Sequence, residues 1–168
     1  MTDSKAKRAH ATSRSSRQER WAELADLVLI IAREIQFRGY SDERAVPLSQ
    51  SEGMVMRYLQ GHTDATPTQI AAATGLQRTN LSTVLGGLER KGLIERRASA
   101  EDARGISVQR TERGASNYTL VRREWAETVS AAAGKDTSNL DAALGLLRAV
   151  ERGLTATRPR NPVSRSPE

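Results

Sequence analysis

Residues 66–92 carry the start and stop signals of two short helices joined by a tight turn. The first helix begins with the capping box Thr66-Pro67-Thr68-Gln69, in which threonine and glutamine satisfy backbone donors and proline occupies the first helical position. Gly75 suits the tight turn between the helices. Small or apolar residues would pack the second helix against the first, and they are Ala71, Leu76, Leu81 and Val84. This spacing predicts a helix-turn-helix, with a simple αα-hairpin as the alternative.

The outer face of the second helix consists of hydrogen-bonding side chains, and no carboxylate follows until Glu89. A solvated helix normally mixes glutamate with its basic residues, so the lack of acid favours an anionic neighbour. We expect this helix to enter a DNA major groove. Gln77 also lies on this face, and the side chains expected to read bases are Arg78, Thr79, Asn80, Ser82 and Thr83.

Two short alternating segments follow, LIERR at 93–97 and ISVQR at 106–110, and the charged stretch ASAEDARG joins them. Alternation of apolar and polar residues predicts two strands of a β-hairpin. A helix-turn-helix followed directly by a hairpin is a winged helix, in which the charged stretch is the wing.

The predicted wing carries several arginines that suit a DNA backbone. We expect Arg96 and Arg97, at its base, to meet phosphates. Arg104 would point from the tip towards a minor groove, where arginine is electrostatically favoured, and Asp102 would brace the wing.

Three further segments repeat apolar residues at helical spacing. They run from Trp21 to about Arg38, from Thr111 to about Ala133, and from Ser138 or Asn139 to Leu154. The run Leu27–Ile31 makes the first of these helices apolar around most of its circumference, which indicates burial on two sides. The apolar faces of the other two helices would find too few partners within one chain, because the small winged core is already filled by its own apolar residues.

Three stretches between about Leu48 and Gly114 are similar to those of a known family. They are LSQSEGMVMRYL, PTQIAAATGLQRTNLSTVLGGLERKGLIERR and EDARGISVQRTERG. The last is the most specific, because it matches the family's Asp-x-Arg, short strand and Leu-Thr-x-x-Gly pattern at Asp102, Arg104, Thr111 and Gly114. Through these stretches the chain resembles the MarR family (multiple antibiotic resistance regulators), homodimeric bacterial winged-helix repressors.

The resemblance implies that the flanking helices form a helical dimerisation layer. We therefore expect a mainly α fold with a small β-hairpin wing, with the winged helix-turn-helix DNA-binding domain at 48–110 and the dimerisation region at 20–47 and 111–155. Residues 1–19 and 156–168 are predicted to be disordered basic tails, which either attract nucleic acid nonspecifically or are only solvated. A symmetric dimer predicts recognition helices about one DNA turn apart, ~34 Å, and a pseudo-palindromic operator.

The resemblance also implies an effector site between the winged core and the helical layer, for a small aromatic or anionic molecule. The candidates to line it, by position, are Arg33, Phe37, Arg38 and Trp125. For the aromatic residues, plain core packing is the alternative.

Two features depart from the family's pattern. Arg110 stands where the family usually has leucine, which alters the packing of that strand end. Gly86 and Gly87 lie inside the recognition helix, where the family commonly has an acidic and a basic residue. Two interior glycines cost about 1 kcal/mol each in helix propensity, and they allow either a close approach of the backbone to DNA or a looser C-terminal half.

Composition excludes several other functions. The net charge of +6 belongs to the tails, since residues 21–154 hold 17 basic and 17 acidic side chains; the high charge therefore does not by itself identify a polyanion binder. The sequence contains no cysteine, which excludes disulfides, thiolate metal sites and thiol oxidation as a switch. No apolar run has the length of a membrane helix or the form of a signal peptide, so we expect a cytoplasmic protein without a membrane partner.

An enzyme would have few candidates for its chemistry. The only histidines are His10 and His62, and no cluster has metal-ligand spacing. His62 and Asp64 could share a metal, with an exposed loop histidine as the alternative. We predict no catalytic residue, no cofactor and no metal site.

These observations together predict a MarR-type dimeric repressor that covers a pseudo-palindromic promoter site on double-stranded DNA and is released by a small effector. The alternative is a winged-helix module for protein-protein interaction, which the neutrality of residues 21–154 favours. Against it, residues 78–113 hold eight basic and five acidic side chains. A steep loss of affinity with salt distinguishes the DNA binder.

Overall fold

The computed structural model describes residues 3–98 and 105–159. Their elements follow in the order α1 (Asp3–Phe37), α2 (Gln50–Leu59), α3 (Pro67–Thr74), α4 (Arg78–Arg90), β1 (Ile94–Ala98), β2 (Ile106–Arg110), α5 (Glu112–Ala133) and α6 (Leu140–Ala156). The predicted fold class is confirmed: the chain is mainly α, and a β-hairpin follows a helix-turn-helix. Two compact units divide at residue 39, the first containing α1 and the second the remaining elements.

Capping boxes begin both α2 and α3. The Ser49 hydroxyl accepts from the Glu52 backbone N–H at 3.2 Å, and the Ser49 N–H donates to the Glu52 carboxylate at 2.8 Å. Thr66 and Gln69 exchange the same two bonds at the start of α3. Gly75 ends α3 with a φ of 73°, a left-handed conformation that favours glycine, so the tight turn follows from local sequence.

The wing is a two-stranded antiparallel hairpin with Ile94 opposite Arg110 and Ala98 opposite Ile106. Val108 also donates its N–H to the Ala65 carbonyl at 2.9 Å, which ties the segment before α3 to the hairpin. Arg110, where the family has leucine, reaches the Gln60 carbonyl at 3.4 Å instead of entering the core. The hairpin is therefore attached to the helices by hydrogen bonds as well as by apolar packing.

Segments that the sequence assigned to the helical dimerisation region also contribute to the winged core. Ala45, from the predicted helical segment, is buried, as are Tyr118 and Val121 of α5. They join a cluster whose fully buried members include Val55, Met56, Leu59, Ile70, Leu88, Leu93 and Val108. Three short helices and a hairpin bury too little apolar surface by themselves, and neighbouring segments complete the core.

Polar side chains of α5 hold the loop between α1 and α2. The Glu124 carboxylate accepts from the Ser41 N–H at 2.8 Å and from the Ser41 hydroxyl at 2.7 Å. Asn117 bonds both backbone groups of Val46, at 2.7 and 3.0 Å. These bonds attach the loop to α5 along its length.

Helix α1 begins at Asp3, whereas the sequence predicted a disordered tail through residue 19. Residues 3–20 contain neither proline nor glycine and are rich in alanine, lysine and arginine, which are good helix formers. Extension of an existing helix costs much less free energy than nucleation of a new one. The helix of the apolar segment from Trp21 can therefore extend towards the N-terminus. In the predicted C-terminal tail, residues 160–168 lie outside the described residues.

Helix α6 has no buried residue. Glu151 of α6 forms an ion pair with Arg57 of α2. Arg158, just after α6, donates to the carbonyls of Ala72 and Ala73 at 3.1 and 3.2 Å. None of the helices in the described part of the chain combines the length and apolar character needed to cross a membrane.

Candidate nucleic-acid interface

Helix α4 presents the predicted base-reading side chains on its exposed face. Arg78, Thr79, Asn80, Ser82 and Thr83 are all exposed. The opposite face is buried, through Leu81, Leu85 and Leu88. The apolar side therefore fixes the helix on the core and leaves the polar side to a partner, as a recognition helix requires.

The start of α4 is electrostatically suited to an anion. The N-cap residue Gln77 makes no side-chain cap hydrogen bond, and the first turn contains no acidic residue. The N–H groups of a helix start carry a partial positive charge, and here no carboxylate of the first turn neutralises it. A phosphate beside this turn would therefore be stabilised.

A cleft of about 250 Å³ lies between α4 and the β-hairpin. Its lining comes from the start of α3, from α4 and from β1, and consists of Pro67, Thr68, Arg78, Leu81, Ser82, Leu85 and Arg96. Arg78 and Arg96, which the sequence assigned separately to helix and wing, both line this cleft, together with Thr68 and Ser82. Guanidinium and hydroxyl donors of this kind suit the oxygen atoms of a phosphate.

Both arginines at the base of the wing are paired with carboxylates. Arg96 Nε lies 3.3 Å from a Glu89 oxygen, and Arg97 Nη2 lies 2.5 Å from a Glu95 oxygen. Exposed pairs of this kind contribute only about 0–1 kcal/mol. A phosphate can therefore compete for either guanidinium, but the two carboxylates reduce the positive potential of the wing.

Part of the predicted interface is not described. Asp102 and Arg104 lie in residues 99–104, outside the described residues, so the bracing of the wing and the contact with a minor groove stay predictions. Thr68 and Glu89 were absent from the predicted interface. Thr68 could have been found as the residue after the helix-starting proline, but Glu89 meets Arg96 only once the hairpin folds back over α4.

The candidate effector residues belong to different units. In the first unit, the guanidinium of Arg33 lies 5.1 Å from the ring centre of Phe37, and Phe37 and Arg38 are exposed. In the second unit, Trp125 is partly buried in the core and meets the Tyr118 ring edge-on at 6.5 Å. Trp125 thus has the core packing that was the alternative to ligand binding.

His62 and Asp64 have other partners. The His62 ring stacks on Tyr58 with 4.0 Å between ring centres, and its Nδ1 lies 2.8 Å from the Tyr58 carbonyl oxygen. Asp64 accepts from the Gln109 amide. Among the described residues, no group of three or more histidine, aspartate or glutamate side chains could hold a metal ion.

Comparison with known proteins gives matches for both sequence and fold. Residues 47–105 match the model of the MarR family. The transcriptional repressor MprA of Escherichia coli (strain K12) is 42% identical over 48 residues, which are 29% of this chain and 27% of MprA. The chain therefore matches about a quarter of the length of that relative.

Two solved structures show a similar fold. Wild-type MarR from E. coli, in its apo form, aligns with a TM-score of 0.57 and 17% identity, over 76% of this chain and 96% of MarR. FabT of Streptococcus pneumoniae in complex with DNA aligns with a TM-score of 0.59 and 24% identity, over 84% of this chain and 96% of FabT. Residues 47–105 thus match the model of the MarR family, and the fold of this chain is similar to that of MarR.

Proposed function

We propose that this chain is a dimeric, MarR-type transcriptional regulator that represses a pseudo-palindromic promoter site and is released by a small effector. The observation that carries the proposal is the polar face of α4, exposed over a buried apolar face, beside the cleft that Arg78 and Arg96 share. The α4 side chains would read bases while Arg96 and Arg97 hold phosphates. Such a protein works in the bacterial cytoplasm and needs no cofactor.

The named relatives support this proposal. FabT was solved in complex with DNA, and MprA is a transcriptional repressor. The MprA match covers 48 residues of this chain. Binding of DNA and repression are therefore the functions that we transfer to this chain as hypotheses.

Dimerisation is supported by apolar surface that the chain leaves uncovered. In the first unit, Leu29 and Ile30 are 69% and 57% exposed. In the second, α6 exposes Leu140, Leu144, Leu146, Leu147 and Leu154. Soluble monomers rarely expose so many large apolar residues on single helices, and a second copy of the chain is the simplest cover.

The direct test is binding to DNA from upstream of the gene, followed by fluorescence anisotropy across a salt series with a scrambled duplex as control. We expect tight, salt-dependent binding that prefers the native duplex. Asn80→Ala should change the preference between sequences, whereas Arg96→Ala should weaken binding to all of them. Equal weakening on all sequences by both variants would refute the assignment of α4 as the recognition helix.

A second candidate function is protein-protein interaction through the winged helix. The ion pairs of Arg96 and Arg97 favour it, because they lower the positive charge that a DNA-binding wing offers. The same salt series separates the two functions: absence of binding even at low salt would favour the protein partner.

The proposed effector site begins from Arg33 and Phe37. A guanidinium over an exposed ring offers both a charge and an aromatic face to a small aromatic anion. If Arg33 holds such an anion, Arg33→Ala should abolish release of DNA by benzoate, used as the probe, and leave DNA affinity unchanged. Arg17→Ala, on the same helix, is the control, and unchanged release in Arg33→Ala would refute the site.

A further inference from the structure

A largely buried ion pair lies between α2 and the end of α4. Lys91 Nζ donates to both oxygens of Glu52, at 2.8 and 2.7 Å, and to the Pro47 carbonyl at 2.9 Å. The Glu52 side chain is 9% exposed. The same carboxylate accepts from the Ser49 N–H in the capping box of α2. Glu52 is therefore held from two directions and has little freedom to move.

Gly87 provides the space that this carboxylate occupies. A Cβ atom at Gly87 would lie 3.0 Å from Glu52 Oε1, closer than ordinary van der Waals contact. At Gly86, a Cβ would meet only the end of the Arg90 side chain, at 3.5 Å. The two neighbouring glycines thus differ: α4 can carry a side chain at residue 86 without displacing the ion pair, but not at residue 87.

We propose that Gly87, Glu52 and Lys91 form a seat that fixes the recognition helix against α2, and that these three are specificity-determining positioning residues for the proposed DNA binding. This inference rests on the proposed function. Base contacts need side chains placed to within about 0.5 Å, whereas long arginines adapt to phosphates from a displaced helix. A disturbed seat should therefore lower the discrimination between sequences more than it lowers nonspecific affinity.

A double-mutant cycle tests the seat in the full-length protein. Gly87→Ala, Glu52→Ala and the double variant are compared with wild type for the ratio of affinities for two duplexes, one selected by wild type from a randomised pool and one scrambled. Gly87→Ala should lower this ratio about tenfold, the effect of losing one bidentate base contact. In the Glu52→Ala background, the same change should have no further effect, because its clash is gone. Losses that multiply would overturn the seat.

Lys91→Met separates positioning from direct contact with DNA. A lysine that binds a phosphate contributes about one unit to the slope of log affinity against log salt. As a seat residue, Lys91 should lower discrimination when replaced and leave the slope unchanged. A reduced slope with unchanged discrimination would assign Lys91 to the backbone of DNA and overturn its role in the seat.

Hydrogen exchange tests the seat without DNA, so that its failure can be told apart from failure of the proposed function. Gly87→Ala should increase exchange of the amides of Glu52 and Lys91, and Gly86→Ala, the matched control, should not. Equal effects of the two variants would overturn the seat even if DNA binding is confirmed. A wild-type protein without preference for any duplex would refute the proposed function, and the exchange result would still decide whether the seat exists.

Discussion

At the scale of single residues, the stability of the second unit depends on two carboxylates, which accept their hydrogen bonds in the ionised form. Bonds from the Ser41 hydroxyl and backbone lower the pKa of Glu124 from its ordinary value of 4.5. Hydrogen bonds and charge from Arg44 hold the pKa of Asp42 well below its usual range. Each lowered pKa means that the ionised form stabilises the folded state. This contribution is present above the unfolded pKa and is lost as the pH falls through the folded pKa.

We therefore predict that Glu124→Gln lowers the Tm at neutral pH, because glutamine cannot offer the Ser41 donors a charged acceptor. The difference from wild type should shrink as the pH falls below the ordinary carboxyl pKa and then through the lowered pKa of folded Glu124. Thermal unfolding followed by circular dichroism measures the effect. Glu127→Gln, an exposed neighbour on the same helix, is the control, and a difference that is constant with pH would contradict the prediction.

At the scale of elements, the sequence predicted what local patterns determine and missed what distant residues determine. The capping boxes of α2 and α3, the turn at Gly75 and the hairpin follow from residues within a few positions of each other. The seat joins Glu52 to a lysine 39 positions away, and the Ser41 bond to Glu124 spans 83 positions. Periodicity and spacing carry no information about such pairs. Nor could spacing predict the cleft, because its lining residues come from three separate elements, α3, α4 and β1.

Gly114 of α5 packs against the backbone of Leu93, the residue just before β1. A Cβ at Gly114 would lie 1.9 Å from the Leu93 carbonyl oxygen. We predict that Gly114→Ala destabilises the protein by about 1–3 kcal/mol or more, because the backbone itself must move. Chemical denaturation measures the change. Gly145→Ala in α6, where a Cβ meets nothing within 4 Å, is the control and should be neutral or stabilising.

The carboxylates that pair with the arginines of the hairpin should weaken the proposed binding to DNA. We predict that Glu89→Gln, which releases Arg96, raises affinity for scrambled and native duplexes alike by up to about fivefold at low salt. Anisotropy titrations measure both affinities. Glu112→Gln, which has no ion pair to Arg96, is the control for the loss of one negative charge, and an equal gain in that variant would show that Glu89 acts only through net charge.

At the scale of the whole molecule, each unit leaves an apolar surface that the folded chain does not cover. The sequence predicted these stripes by their period and expected the first helix to be buried on two sides. Large apolar residues of α1 and α6 are exposed in the single chain, and their burial by a second copy stays a prediction. The sequence could not predict how far the winged core extends into α5, because the same stripe can serve a core or a partner. In this structure Tyr118 and Val121 serve the core, and the C-terminal half of α5 exposes Val129.

We predict that Leu147→Glu converts a dimer into a monomer, since a carboxylate in an apolar interface is unpaired. Light scattering after size-exclusion chromatography measures the mass. Specific DNA affinity should fall with it, because a single recognition helix contacts one half-site. Arg148→Glu, which introduces the same side chain at the adjacent position of α6, is the control. A dimer that survives in Leu147→Glu would exclude this face of α6 from the interface.

The hydrogen bonds from Arg158 to the end of α3 can form only late in the synthesis of the chain. They join residues 86 and 85 positions apart. Translation adds roughly 5–20 residues per second, so about four to seventeen seconds separate synthesis of the end of α3 from synthesis of Arg158. During that interval the last carbonyls of α3 face water. A nascent chain that reaches DNA early would therefore meet it before the end of α3 is tied to the C-terminal segment.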